Sequence, residues 1–156
     1  MRAPSKHLFR TVATEAKRWS TETRRRLSVA PIALDARTVD WALETFTTPD
    51  VEADWLANQD VHGGNILAAQ RQSWLLIDPK PLVGEREIDA VGLLRNAAWR
   101  ECVMGVRAWL SALTEVGLDR ERMRAWGVAH AIAWGWDDAA GWSSPSIDAA
   151  RTIAAA

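Results

Sequence analysis

The chain has a single cysteine, Cys102, and no tyrosine among its 156 residues. One thiol cannot close an intrachain disulfide, and it excludes a cysteine-rich zinc site. That usage fits a reducing, cytoplasmic setting. No glycine precedes Gly63, although the chain contains nine. A glycine-rich phosphate-covering loop therefore cannot lie upstream of that point. Apolar runs stay well short of the roughly 18 residues a membrane helix needs. The N-terminal "MRAPSKHLFRTVATEAKRW" has no apolar core of a secretion signal. Charge of either sign is not in excess. A net charge of −1 gives no global drive towards nucleic acid or a membrane surface. The short run Arg24, Arg25 and Arg26 reads as a solvated helix face.

What is present describes a soluble domain. Apolar residues make up 48% and charged residues 25%, close to globular averages. A single domain over 1–156 would bury roughly two-thirds of the unfolded chain's surface. Ten tryptophans stand out. Most fall in helical patterns, where packing is the expected role, with carbohydrate or aromatic recognition as the alternative. Leu8 to Leu27 and Ala36 to Phe46 read as helices, the second capped by Asp35. Ile88 onward is helical again, with Gly117 as a C-cap and Asp119 as a new N-cap. Arg120 to Trp136 is apolar almost all round and predicts a helix buried on several sides. The segment "PKPLVGERE" reads as an irregular loop, and the tail at about 140–156 as frayed. The fold class expected is α+β, mostly helical, with one embedded hairpin.

The chemistry concentrates in "NQDVHGGNILAAQRQSWLLIDPK", Asn58 to Lys80. "NILAAQ" and "SWLLID" read as two strands turning near Gln70 to Gln72. Asp60 and Asn65 stand in the D-x-x-x-x-N spacing of a kinase catalytic loop, and Asp78 follows the second strand. Phosphoryl transfer needs a carboxylate to orient the attacking hydroxyl, and oxygen ligands for magnesium on the nucleotide. A hairpin would fold Asp78 back beside Asn65, with the Asp60 and Asp78 carboxylates within about 11 Å, two helical turns. Gly63 and Gly64 are expected to let the loop turn sharply before Asn65.

"QDVHGGNIL…WLLIDPKPLVGEREID" resembles the catalytic core of the aminoglycoside phosphotransferase superfamily. It is most similar to the branch of streptomycin 6-phosphotransferases and hydroxyurea-resistance kinases. The resemblance implies a protein-kinase-like C-terminal lobe and ATP- and Mg²⁺-dependent phosphorylation of a small-molecule hydroxyl, an aminoglycoside such as streptomycin, with antibiotic resistance as the consequence. It places Asp60 as catalytic base, and Asn65 and Asp78 as Mg²⁺ and nucleotide ligands. It places His62 as the brace of the turn and Asp89 as the support of the loop backbone. Many members carry His-Gly before the catalytic Asp, where this chain has Asn58 and Gln59. The resemblance also implies an N-terminal lobe with a glycine loop and a strand lysine, and nothing upstream of Gly63 supplies one.

Several readings stay open at this level. Lys80 suits a phosphate contact or an ion pair with Glu85 or Glu87. His130 reads as a core or groove residue, and His7 as exposed. Asp137 and Asp138 suit solvent or a cationic ligand. The chain is either a small-molecule kinase lobe or a non-catalytic remnant that keeps the fold as a binding module. A hydrolase built on Asp60, His62 and Asp78 would want more ligands nearby. A lobe cut from its partner should expose an apolar face near Trp55 or Leu56, or on the first helix, and a homodimer or a separate N-lobe is the expected cover. Nucleic acid and membrane are not expected partners.

Overall fold

The computed structural model describes residues 1–4, 8–98 and 103–156. Cys102 and His7 lie outside them. Six helices and three two-stranded sheets make up the described chain. Helix α1 spans Val12–Val29, and the Thr11 hydroxyl at its N-cap accepts from Thr14 N at 3.1 Å. Helix α2 spans Ala36–Thr47, and its N-cap Asp35 accepts from Thr38 N at 3.0 Å. Strand β1, Trp55–Asn58, follows. Strands β2 (Ile66–Ala68) and β3 (Trp74–Leu76) form the hairpin, with Ile66 opposite Leu76. Strand β4, Pro81–Gly84, pairs antiparallel with β1. Helices α3 (Val91–Ala98) and α4 (Val103–Glu115) come next, then α5 (Arg120–Ala133), strands β5 (Trp136–Asp137) and β6 (Gly141–Trp142), and α6 (Ser144–Ala154). No described helix is long and apolar enough to cross a membrane.

The core gathers round α5. Met123, Trp126, Val128, Ala129 and Ile132 are almost wholly buried, which matches the all-round apolar pattern. The helix stops at Ala133 rather than Trp136, so Trp134 leaves the core at 48% exposed while Trp126 lies at 0%. Trp19 from α1 packs edge-on against Trp126 at 6.4 Å and tilted against Phe46 at 6.1 Å. Packing is thus the role of some tryptophans but not of all.

Two expectations are corrected. Pro81 to Gly84 is strand β4, not irregular loop. Pro81 takes the first strand position, where a missing N–H is tolerated. Gly84 takes φ of +154° at the other end, where a Cβ would lie 2.7 Å from the Val12 side chain. The tail is α6, not a frayed segment. Ile147, Ala150 and Ile153 recur at three-residue spacing and are buried against the core. Gly127 on α5 permits this approach, since a Cβ there would meet Ile153 at 3.2 Å. Arg124 closes the end of α6 by donating to Ala154 O at 2.7 Å. Small alanines carry the apolar stripe, so the pattern is weak in sequence.

Candidate active site

Strand β1 delivers the chain to the Asp60 loop, and three contacts fix its course. Asp89, in the 3₁₀ turn Arg86–Ala90 ahead of α3, accepts from Asn58 N at 2.5 Å. Burial raises the Asp89 pKa above 3.8, only partly offset by that backbone hydrogen bond. The Asn58 amide oxygen accepts from Asp60 N at 3.1 Å and from Lys80 N at 2.9 Å. It thereby joins the loop to the segment after β3. Gly92 permits the opposite wall: a Cβ there would stand 2.3 Å from the Val61 carbonyl oxygen. Only a glycine lets α3 pass this close to the loop.

His62 turns the chain. Its Nδ1 accepts from Gly64 N at 3.1 Å, and its Nε2 lies 3.7 Å from Asp60 Oδ1. The brace reading therefore has a geometry. The glycine expectation is corrected in its reason. Neither Gly63 nor Gly64 takes a positive φ; the close neighbour of a Cβ on Gly64 would be the His62 ring, at 3.0 Å. The residue in the left-handed region is Asp78, at φ +45°. A non-glycine residue there carries strain of about 1–3 kcal/mol, and such residues cluster at functional sites.

The hairpin brings the three motif residues together. Ile77 N donates to Asn65 O at 2.8 Å, which sets the exposed Asp78 one residue beyond a bond to Asn65. Asn65 is 9% exposed and spends its Nδ2 on Asp60 O at 3.0 Å, so its amide oxygen points elsewhere. Two residues after Asp78, Lys80 reaches back to Asp60: Nζ lies 2.5 Å from Oδ2. Neither glutamate considered for Lys80 takes it. Glu85 binds Arg122 at 2.6 Å, and Glu87 accepts from Asp119 N at 3.2 Å.

Asp60, 9% exposed, has a second cation behind it. Arg95 of α3 places Nη2 3.5 Å from Asp60 Oδ1 and Nη1 3.2 Å from His130 Nδ1. Arginine only donates, so His130 Nδ1 accepts and its proton sits on Nε2. Burial, then the Arg95 and Lys80 charges, push the His130 pKa well below 6.5, so the ring is neutral. His130 stands edge-on to Trp19 at 5.5 Å and stacks on Trp134 at 5.3 Å. Lys80 Nζ lies 5.8 Å from the Trp134 ring centre. Sequence reasoning missed Arg95 and Trp134. Arg95 carried a signal: it shares an apolar helix stripe with Val91 and Ala98, where a charge needs a buried partner.

Asp137 and Asp138 are exposed and serve their own turn. Asp137 accepts from Ala139 N and Ala140 N at 2.9 and 2.8 Å, and Asp138 from Trp136 Nε1 at 2.9 Å. Among the described residues, no three His, Cys, Asp or Glu side chains gather as a metal site. Magnesium carried on a nucleotide needs only one or two protein carboxylates, and the free oxygens of Asn65 and Asp78 fit that demand.

The family described as aminoglycoside/hydroxyurea antibiotic resistance kinase matches residues 5–143. A streptomycin 6-kinase of Streptomyces glaucescens is 40% identical over 93 residues, covering 56% of this chain and 30% of that protein. A hydroxyurea phosphotransferase of Kitasatospora aureofaciens is 44% identical over 80 residues, 51% of this chain and 23% of that protein. A streptomycin 6-kinase of Streptomyces griseus is 35% identical over 98 residues, 59% and 32% respectively. The matched stretch thus spans between 23% and 32% of these relatives. No solved structure matches the chain. The chain belongs to the aminoglycoside/hydroxyurea antibiotic resistance kinase family.

Proposed function

We propose that this chain is the catalytic-loop lobe of a phosphotransferase that moves the γ-phosphoryl group of ATP to a hydroxyl of a small molecule. The observation that carries it is the convergence of Asp60, Asn65 and the strained Asp78 at one hairpin base. Asp60 accepts a hydrogen bond from the acceptor hydroxyl, orients it in line and takes its proton. Asn65 and Asp78 would hold the nucleotide's Mg²⁺, which neutralises charge on the phosphates when bound. Lys80, ion-paired to Asp60, would supply an ammonium to the negative charge that develops on the transferred phosphoryl group. Arg95 holds the Asp60 carboxylate from behind. His62 and Asp89 fix the loop that carries it.

Positioning and electrostatics supply nearly all phosphoryl-transfer catalysis. A cover over the phosphates, from an N-terminal lobe or a partner chain, would complete the clamp. The 156 residues alone should therefore turn over slowly, well below about 1 s⁻¹, the low end for kinases. The second reading, a binding module without turnover, draws on the same gap and on the Lys80 ion pair that occupies Asp60.

Streptomycin and hydroxyurea, which name the relatives' activities, are the acceptors to assay with labelled ATP. The expected result is slow product formation that Asp60→Asn lowers by about 10²–10⁴-fold. Equal traces with wild type and Asp60→Asn would favour the module reading. A wild-type rate on the order of 1 s⁻¹ would show that no cover is needed.

A further inference from the structure

We propose that His130 is a positioning residue for phosphoryl transfer: through Arg95 it sets the direction in which the Asp60 carboxylate faces the acceptor hydroxyl. This rests on Asp60 being the catalytic base.

Arg95 reaches Asp60 on a long side chain that could swing. Its grip on the base is loose, with Nη2 3.5 Å from Asp60 Oδ1. The shorter contact lies on the far side, where Nη1 stands 3.2 Å from His130 Nδ1. A guanidinium is a rigid planar fork, so anchoring one Nη fixes where the other points. The imidazole therefore decides the side from which Arg95 meets Asp60.

His130 is itself held fast. It is 1% exposed, on α5. Trp19 stands edge-on to the ring, with 5.5 Å between centres and 84° between planes. Trp134 stacks on it at 5.3 Å and 21°. Trp19 in turn packs against the fully buried Trp126. A continuous line of contacts thus runs from the core through His130 and Arg95 to the base.

The chemistry of the ring suits this task better than it suits packing. Burial, then the Arg95 and Lys80 charges, hold the His130 pKa well below 6.5. An imidazolium would offer Arg95 no acceptor. A carboxylate in its place would compete with Asp60 for the guanidinium. A neutral acceptor orients Arg95 and leaves its charge to Asp60. Packing alone would favour an apolar ring, because His130 Nε2 is buried without a partner and such a donor costs stability.

Two substitutions separate positioning from packing. His130→Phe keeps a ring between the two tryptophans and removes the acceptor. His130→Asn keeps an acceptor close to the Nδ1 position and removes the ring. Transfer from labelled ATP to streptomycin and to hydroxyurea is measured beside thermal unfolding. His130→Phe should unfold no earlier than wild type, yet lose about tenfold or more in kcat with the acceptor KM held, since a misplacement of about 1 Å can cost about 10²-fold. His130→Asn should unfold earlier, yet transfer faster than His130→Phe. The reverse order of rates would overturn the proposal and leave His130 a packing residue.

A second readout needs no turnover. In NMR of the isotope-labelled whole chain, Arg95 held at both Nη atoms should show separate Nη signals. His130→Phe should merge them through free rotation, and His130→Asn should keep them apart. The ¹⁵N shifts of wild-type His130 should show a bare Nδ1 and a protonated Nε2; the opposite tautomer would overturn the proposal even if neither variant folds. Merged signals in His130→Phe, without Asp60-dependent transfer in wild type, would strike the catalytic reading and leave the hold on Arg95 standing. Asp60-dependent transfer with rates and Arg95 signals unchanged in His130→Phe would strike the positioning role alone.

Discussion

At the scale of single residues, Asp60 is a carboxylate whose neighbours are chosen for position. Lys80 sits before it, Arg95 behind it and His62 beside it. The sequence shows Asp60, Asn65 and Asp78 because their spacing reflects a local hairpin. It hides Arg95 of α3, which meets Asp60 only after the core closes, and the contact that His130 of α5 makes with Arg95. Asp89 was legible as a helix-starting acid, and its partner, Asn58 N, became visible only in the fold. Burial raises its pKa above 3.8, so the folded state binds this proton more readily than the unfolded state. Ionised Asp89 therefore costs stability above its folded pKa, and the cost fades as pH falls through that value. Asp89→Asn keeps an acceptor for Asn58 N and should unfold at a higher denaturant midpoint than wild type at pH 7. The gain should shrink as the pH is lowered. Asp89→Ala leaves the N–H unpaired and should lose about 1–3 kcal/mol.

At the scale of elements, Glu85 ties the end of β4 to α5 and to the loop after α2. It accepts from Arg122 at 2.6 Å, Trp126 Nε1 at 3.0 Å and Asp50 N at 2.7 Å. Burial raises the Glu85 pKa, but the bonds from Arg122, Trp126 and Asp50 outweigh it, and the net value lies below 4.5. Its stabilisation is therefore complete above the unfolded pKa and disappears as pH falls through the lowered folded pKa. Arg122→Ala strands a carboxylate that is 5% exposed. It should cost about 3 kcal/mol, a fall in Tm of roughly 6–12 °C, measured by thermal unfolding at pH 7. Below the folded pKa of Glu85 the difference should narrow; an unchanged gap there would contradict the role given to the charge. Strand β4 and helix α6 were the elements misread from sequence. One has prolines flanking its start and the other a stripe of alanines, and both are secured by contacts distant in the chain.

At the scale of the whole molecule, exposed apolar side chains stand away from Trp55 and Leu56. Trp55 and Leu56 are half-buried, and Arg2 and Arg86 stand 5.1 and 5.3 Å from the Trp55 ring. Among the described residues, four exposed apolar side chains gather on the hairpin, Leu67 at 47%, Trp74 at 65%, Leu75 at 49% and Leu76 at 42%, while others such as Leu8 and Met104 stand apart from it. A two-stranded sheet with open edges and apolar faces should favour association. Light scattering should show mass rising with concentration through the micromolar range, and Trp74→Lys should reduce the rise. A monomer throughout, in both proteins, would show that the hairpin needs no cover.

The central claim is that Asn65 and Asp78 hold a nucleotide-borne metal in front of Asp60. Manganese in place of magnesium, added with excess ATP to the isotope-labelled chain, tests it directly, because the paramagnetic ion broadens nearby amide signals first. The account predicts that Asn65, Asp78 and Lys80 fade ahead of the rest, and that Asp78→Ala abolishes the pattern. Fading led by Asp137 and Asp138, or a pattern unchanged in Asp78→Ala, would contradict it.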